Sequence, residues 1–249
     1  MAINKTEAIV LRHRELRETS LIATFYTRDF GKINGVIKGV RGERSQHVGG
    51  ALELFARDEI VFYEKKGSDL FLVSQCELIN FFPSIRSDLE KLSYASYLVE
   101  LTDSATPLGE KSEEIFTLLS KSLGLLCAKA SARRAARIFE IKFLKILGMM
   151  PAMERCAVCS GSVDDGGRFN LKAGGLVCGS CGASSGPSFP ILRGTREFIK
   201  HIASSDFERA SRIKVAERVG KELEAILRKF IDYHIGRRLN TVAFLASIK

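Results

Sequence analysis

The chain has 249 residues, of which 45% are hydrophobic and 27% charged, a composition ordinary for a globular protein of one large or a few small domains. No stretch approaches the ~18 uncharged apolar residues of a membrane span, and the first residues lack a signal-peptide pattern, so neither is expected. The net charge of +9 favours nucleic acid or another polyanion as a partner, although a lysine-rich solvated surface gives the same charge.

The first 80 residues predict a small β-barrel. Runs rich in β-branched and aromatic residues alternate with glycine-containing turns, which indicates about five short strands. Five strands in this length suit a closed barrel of the oligonucleotide-binding (OB) type, and strand count alone does not separate it from SH3-like barrels. The predicted strands centre on residues 8–11, 21–27, 32–40, 60–63 and 70–73.

The segment between the third and fourth predicted strands, residues 39–50, is polar, glycine-rich and basic, as in an exposed loop. On a small barrel such a loop is well placed to follow a phosphate backbone. An ordinary solvated loop fits the same pattern. The candidate phosphate-contacting residues, in this loop and on the strand before it, are Lys32, Lys38, Arg41 and Arg44.

Helical periodicity replaces strand periodicity after Pro83. Predicted helices cover residues 89–101, 113–130, 131–147, 195–203, 207–219 and 221–239. The third helix is apolar over most of its circumference, so we expect it to be central. Its first turn carries Arg133, Arg134 and Arg137, which oppose the helix dipole and form a second candidate DNA-binding group; ordinary surface arginines are the alternative.

Two cysteine pairs, Cys156 with Cys159 and Cys178 with Cys181, are separated by eighteen residues. This spacing is typical of a four-thiolate zinc site, because each two-residue gap directs both sulfurs of a pair at one tetrahedral ion. Four thiolates leave no open coordination position, which predicts a single structural ion. The alternatives are redox dithiols or reduced structural cysteines, and spacing does not separate zinc from iron.

No convincing catalytic motif occurs in the chain, and no catalytic residue is predicted. Residues 182–186 match Gly-x-Ser-x-Gly, but a cysteine turn precedes them and Pro187 follows, so a flexible linker is expected instead of a nucleophile elbow. Residues 186–249 carry 13 basic and 7 acidic side chains and hold most of the positive excess. These features predict a binding protein and not an enzyme.

Several stretches, taken in order, resemble the RecO family of bacterial recombination and repair mediators. Residues 6–11, 17–20, 25–32 and 36–41 follow that family's barrel pattern, and residues 139–148 lead through Pro151 into the cysteine pairs. Arg17 departs from the glycine more common before Glu18. The resemblance implies binding of single- and double-stranded DNA, annealing of complementary strands, and action with RecR to load a recombinase onto DNA coated by single-strand-binding protein, whose acidic C-terminal tail is a further implied contact.

The predicted fold class is α+β and multidomain. We expect an OB-fold-like barrel over 1–80, a helical domain over 81–150 and 187–249, and an inserted four-cysteine zinc module over 151–186. The expected location is cytoplasmic and nucleoid-associated, without a membrane or a small-molecule substrate. The alternatives are a zinc-ribbon or OB factor for RNA or transcription, and a protein-interaction adaptor with no direct DNA role.

Overall fold

The computed structural model describes residues 2–16, 20–39, 52–64, 67–128, 130–163 and 167–247. The chain divides into two compact units. Met1–Ala132 and Leu239–Lys249 form the first, and Arg133–Arg238 form the second.

A closed five-stranded barrel opens the first unit. Its strands are β1 (Ile3–Leu16), β2 (Ser20–Thr27), β3 (Gly31–Lys38), β4 (Arg57–Tyr63) and β5 (Leu70–Asn80). The order around the barrel is β1-β2-β3-β5-β4, and β4 pairs with β1 to close it. β3 and β5 run parallel, while the other pairs are antiparallel. The predicted OB-like barrel is confirmed.

Alternate residues of the strands fill the barrel with aliphatic and aromatic side chains, as the period of two requires. Gly35 of β3 lies against the packed interior of the barrel, because a Cβ there would stand 2.5 Å from Val73 Cγ2 and 3.2 Å from the Phe25 ring. A side chain at position 35 would therefore collide with core side chains of β2 and β5.

Three helices follow the barrel in the same unit: α1 (Pro83–Arg86), α2 (Leu89–Ala105) and α3 (Glu113–Cys127). Asp88 and Ser112 cap α2 and α3, their side chains accepting from the main-chain nitrogens of Lys91 and Ile115. α2 runs four residues past the predicted end at 101 and stops before Pro107.

The second unit combines helices with a three-stranded sheet of order β7-β6-β8. Its elements are α4 (Ala132–Ile146, beginning at the last residue of the first unit), β6 (Arg168–Asn170), β7 (Gly175–Val177), α5 (Gly179–Ser184), β8 (Ser188–Pro190), α6 (Arg193–Ser204), α7 (Phe207–Arg212) and α8 (Glu217–Ile235). The helical region and its cysteine module confirm the predicted fold class.

The helices near the C-terminus differ in their bounds from the sequence prediction. The helix predicted for 207–219 ends at Arg212, where the chain turns extended at Ile213. The helix predicted for 221–239 begins at Glu217 and ends at Ile235, because Gly236 adopts the left-handed conformation (φ 65°) that stops a helix. The expected linker before Pro187 contains α5, and β8 follows it.

The chain ends in a helix that the sequence prediction missed, α9 (Asn240–Ser247), which belongs to the first unit. Glu100 of α2 caps it: the carboxylate accepts from the main-chain nitrogens of Asn240 and Thr241, both at 2.8 Å. A cap supplied 140 residues away leaves no local start signal in the sequence.

Candidate functional site

The four paired cysteines come together in the second unit as a candidate metal centre. Their sulfur atoms all lie within 4.8 Å of one another, and the Sγ atoms of Cys159 and Cys178 are 3.9 Å apart. A tetrahedral ion with Zn–S bonds of about 2.3 Å places its sulfurs about 3.8 Å apart. The four side chains can therefore hold a metal ion, and the sulfur-only donor set suits a soft or borderline one.

Two turns of different construction present the sulfurs. The first turn closes on a hydrogen bond of 2.9 Å from Ser160 N to Cys156 O, with Ser160 in the left-handed region (φ 58°). The second places Cys178 at the N-terminus of α5, where Gly182 N donates to Cys178 O at 2.8 Å. The turns are joined by main-chain bonding, since Ala157 N donates to the oxygen of Leu176.

Main-chain groups of the protein favour the thiolate form of Cys156 even without a bound cation. Main-chain N–H groups, first that of Cys159 and then those of Cys178 and Val158, lower the pKa of Cys156 to about 6. In contrast, hydrogen bonding with the thiols of Cys159 and Cys178 raises the pKa of Cys181. Four thiolates this close would repel one another strongly. A bound metal cation relieves this repulsion and so allows all four sulfurs to be deprotonated.

The cysteine module has more core than its sequence suggests. Phe169 of β6 is fully buried, its ring 5.9 Å from Phe230 of α8 and 5.6 Å from Phe189 of β8. Arg196 of α6 donates three hydrogen bonds to the main-chain oxygens of Met153, Glu154 and Val163. The module is thus fastened to α6 and α8 by an aromatic contact and by one arginine.

The outer face of the barrel is the candidate nucleic-acid interface. Strand register aligns Arg12, Thr24, Asn34 and Leu70 in one row across β1, β2, β3 and β5. The neighbouring row consists of Arg14, Ile22, Val36 and Leu72. All of these residues except Val36 and Leu72 line a cleft of about 300 Å³, together with His13 and Asp69. Apolar side chains flanked by arginines on an OB-type barrel suit a strand with bases and phosphates.

Of the four lysines and arginines predicted near β3, Lys38 is exposed at the end of that strand, in register with Ser20. Arg41 and Arg44 lie outside the described residues. Lys32 is buried, with 9% of its surface exposed, and its amino group lies 2.6 Å from Asp103 O and 3.1 Å from Asp103 Oδ1. Its charge is engaged inside the protein, so we remove Lys32 from the candidate DNA contacts.

The three arginines predicted at the start of α4 do not form one surface. Arg137 is buried (4% exposed) and its guanidinium lies 2.8 Å from the carboxylate of the buried Glu140. Arg134 is half-buried and donates to the main-chain oxygen of Ile213 at 3.4 Å. Arg133 is exposed. We remove Arg137 from the candidate set for the same physical reason as Lys32.

Arg12 and Arg14 were missed by the sequence prediction, although both are exposed on the candidate interface. Arg12 also forms an ion pair of 2.9 Å with Asp103. The signal was present in the sequence as three consecutive basic or imidazole side chains, Arg12-His13-Arg14, directly after an apolar strand. The sequence prediction placed the barrel's candidate contacts on the third strand and the loop after it, and did not include these arginines of the first strand.

Within the part of the chain that the structure describes, no helix has the length and apolar character needed to traverse a bilayer. The fold and the two candidate sites together define an α+β protein with an OB-type barrel and a helical region that carries a four-cysteine module able to hold a metal ion.

Comparison with known proteins narrows this class to one family. The model for the Recombination protein O N terminal matches residues 1–82, and the one for the Recombination protein O C terminal matches residues 86–243. The chain belongs to the RecO family.

Relatives named DNA repair protein RecO align with nearly the full chain. The one from Pelotomaculum thermopropionicum is 38% identical over 98% of this chain and 94% of its own length. The relative from Syntrophus aciditrophicus is 33% identical over 100% of this chain and 97% of its own length. The one from Moorella thermoacetica is 32% identical over 98% of this chain and 91% of its own length.

Proposed function

We propose that this protein binds DNA as a recombination mediator and anneals complementary strands without catalysing a covalent change. Membership of the RecO family supports a role in DNA repair and recombination. The observation that carries the proposal furthest is the barrel face on which Arg14 and Lys38 flank an apolar row. In this proposal residues 1–80 bind DNA, residues 81–150 and 187–249 form a helical domain, and residues 151–186 form the metal module.

Annealing requires two polyanionic strands to approach each other. Basic side chains that replace condensed counterions reduce the repulsion, and this contribution weakens as salt is added. The proposed phosphate contacts on the barrel are Arg12, Arg14 and Lys38, joined by Arg41 and Arg44 from the sequence prediction. Arg133 and Arg134 are retained as a second group, and double-stranded DNA is bound through the same sequence-independent contacts.

The proposed metal is one structural zinc ion held by Cys156, Cys159, Cys178 and Cys181. The spacing of the sulfurs fits tetrahedral Zn²⁺, and a closed four-thiolate site leaves no position for water or substrate. Bound zinc supplies folding free energy to the module and takes no part in chemistry on DNA. Reduced thiols of this kind fit a cytoplasmic, nucleoid-associated location.

The proposed protein partners are RecR and the acidic C-terminal tail of single-strand-binding protein. Exposed basic side chains in the second unit offer charge complementarity to such a tail. They are Arg209, Arg212, Lys214, Arg218 and Lys221. In this arrangement the helices recruit coated DNA while the barrel holds the strand.

A strand-annealing assay tests the proposal. Two complementary DNA oligonucleotides, one labelled with a fluorophore and the other with a quencher, are mixed with and without protein at low and moderate salt. We expect faster annealing at low salt, and slower annealing by an Arg14→Gln/Lys38→Gln variant. Lys5→Gln is the matched control, because Lys5 is exposed on the same barrel but paired with Glu59 at 2.6 Å.

The alternatives give different outcomes in that assay. An RNA-only factor accelerates annealing of RNA strands and leaves DNA strands at the protein-free rate. An adaptor without a direct DNA role leaves both at that rate, yet it is retained by immobilised single-strand-binding protein in a tail-dependent way. Either outcome would contradict the proposed function.

A further inference from the structure

A second cleft, of about 310 Å³, opens at the end of the barrel where β3 and β5 begin. Its apolar walls include Phe30, Phe62 and Phe71, with Phe62 at the centre: the Phe30 ring meets it edge-on at 5.1 Å, and the Phe71 ring lies 5.4 Å away at 36°. Phe62 is buried, whereas Phe30 and Phe71 keep part of their surface exposed. The volume is at the lower end of the roughly 300–1,000 Å³ typical of ligand sites.

The charged side chains around this cleft disfavour a phosphate inside it. Asp29, Glu64 and Asp69 line it together with Lys32 and Lys111. Lys32 is held by Asp103, and the Lys111 amino group lies 3.8 Å from Asp29. A phosphate entering the cleft would meet carboxylates and little uncommitted positive charge, whereas a neutral aromatic ring would meet phenylalanine rings.

The aromatic cleft adjoins the basic one on the barrel face. Asp69 lines both, and β5 supplies Leu70 to the basic cleft and Phe71 to the aromatic one. β3 likewise supplies Asn34 to the first and Ile33 to the second. A single strand whose phosphates lie along Arg12 and Arg14 therefore occupies a cleft that shares Asp69 with the aromatic one.

We propose that the cleft lined by Phe30, Phe62 and Phe71 receives an unstacked nucleobase of a single strand held on the neighbouring basic face. This inference rests on the proposed function and adds a site to it. Stacking on an aromatic side chain is tolerant of sequence because every base has a π-face, which suits a mediator that acts on any strand. The phosphates stay outside, beside the arginines, and the base carries no charge into the cleft.

Binding measurements on Phe71 variants test the base site. Fluorescence anisotropy of a fluorescein-labelled deoxythymidine oligonucleotide gives Kd at several salt concentrations. Phe71→Leu keeps an apolar side chain but removes the aromatic face, so we expect Kd to rise about 10-fold, as for the loss of one stacked base, with an unchanged salt slope. Phe71→Tyr is expected to bind like the wild type. Leu78→Ala, an exposed position on the same strand outside both clefts, is the control.

Photocrosslinking of the unaltered protein gives a readout that does not depend on any variant folding. The same oligonucleotide carrying 5-iododeoxyuridine is irradiated in the complex, and mass spectrometry locates the adduct. We expect it on Phe30 or Phe71.

Wild-type-like affinity of Phe71→Leu, or adducts confined to other residues, overturns the base site while leaving DNA binding by the barrel intact. That result is also expected if the cleft receives an aromatic side chain of a protein partner. Failure of the wild type to bind the oligonucleotide overturns the proposed function itself, and the base site with it.

Discussion

The amino group of Lys32 lies 2.6 Å from the main-chain oxygen of Asp103, which fastens the start of β3 to helix α2 within the first unit. The carboxylate of Asp103 also forms an ion pair with Arg12 of β1. One carboxylate therefore holds two basic side chains of the barrel, one buried and one exposed. Lys32 thus joins the barrel to α2, and in the proposed function the phosphate contacts are side chains farther along the outer face.

Replacing Lys32 with methionine is expected to lower the free energy of unfolding by about 1–3 kcal/mol, because it removes the donor to two partly buried oxygens of Asp103. The salt dependence of DNA binding should stay as in the wild type. Chemical denaturation and anisotropy measure the two quantities. Lys38→Met, at an exposed position of the same strand, should show the reverse pattern; a shallower salt slope for Lys32→Met would restore Lys32 as a DNA contact.

Asp58 places an ionisable group inside the barrel core. It is fully buried, its Oδ2 accepts from Leu52 N at 3.1 Å and from Cys76 Sγ at 3.4 Å, and its Oδ1 has no hydrogen-bond partner among the described residues. Burial raises the pKa of Asp58 to about 6, against an ordinary value near 3.8. The folded state thus binds a proton that the unfolded state releases between about pH 4 and 6.

Stability should therefore rise as the pH falls through 6 toward 4, since the folded state then holds more protons than the unfolded one. The contribution of Asp58 amounts to about 3 kcal/mol at most. Urea denaturation of the wild type and of Asp58→Asn across this range isolates it, because asparagine keeps the acceptor for Leu52 N but does not ionise. Parallel pH profiles for the two proteins would contradict an elevated pKa.

The cysteine site should contain one zinc ion per chain, and its loss should act on stability first. Cys156→Ser is expected to remove the metal and lower the thermal midpoint by about 10 °C or more. Cys127→Ser, a thiol outside the cluster, is the control. Metal analysis and the visible bands of the cobalt-substituted protein report the ligand set. A serine variant that kept its stability but lost DNA binding would contradict a structural role.

Arg196 should stabilise the second unit by joining α6 to the cysteine module. Lysine at this position keeps the charge but lacks the planar guanidinium whose three nitrogens donate to the three carbonyl oxygens. Arg196→Lys should therefore lower the free energy of unfolding by about 1–3 kcal/mol. Denaturation curves measure this cost, with the exposed Arg218→Lys as control. The zinc content should stay at one, and an unchanged free energy of unfolding would show that water satisfies these oxygens equally well.

Local patterns predict much of this fold. The β-branched and aromatic residues of β2, the alternation in β3 and the cysteine spacing are properties of short segments, and the structure has the expected elements there. The fully buried Phe139 and Phe143 of α4 likewise follow from helical periodicity.

Long-range partners account for what the sequence could not predict. Lys32 looks like any basic residue on a strand until Asp103, 71 residues later, is brought beside it. Arg137 has Glu140 one turn away, yet only burial of both makes the pair structural. Phe71 alternates like a core residue, and only the barrel's closure leaves part of its ring open to a cleft. Charge clustering along the chain therefore groups buried, ion-paired side chains with exposed ones.

The salt dependence of single-stranded DNA binding by the Arg14→Gln/Lys38→Gln variant tests the barrel interface most directly. Each phosphate contact to a single strand contributes about 0.7 to the slope of log K against log salt concentration, so removing two should make the slope shallower by about 1.4. The Lys5→Gln control should keep the wild-type slope. A slope for the double variant equal to that of the wild type would contradict DNA binding by this face of the barrel.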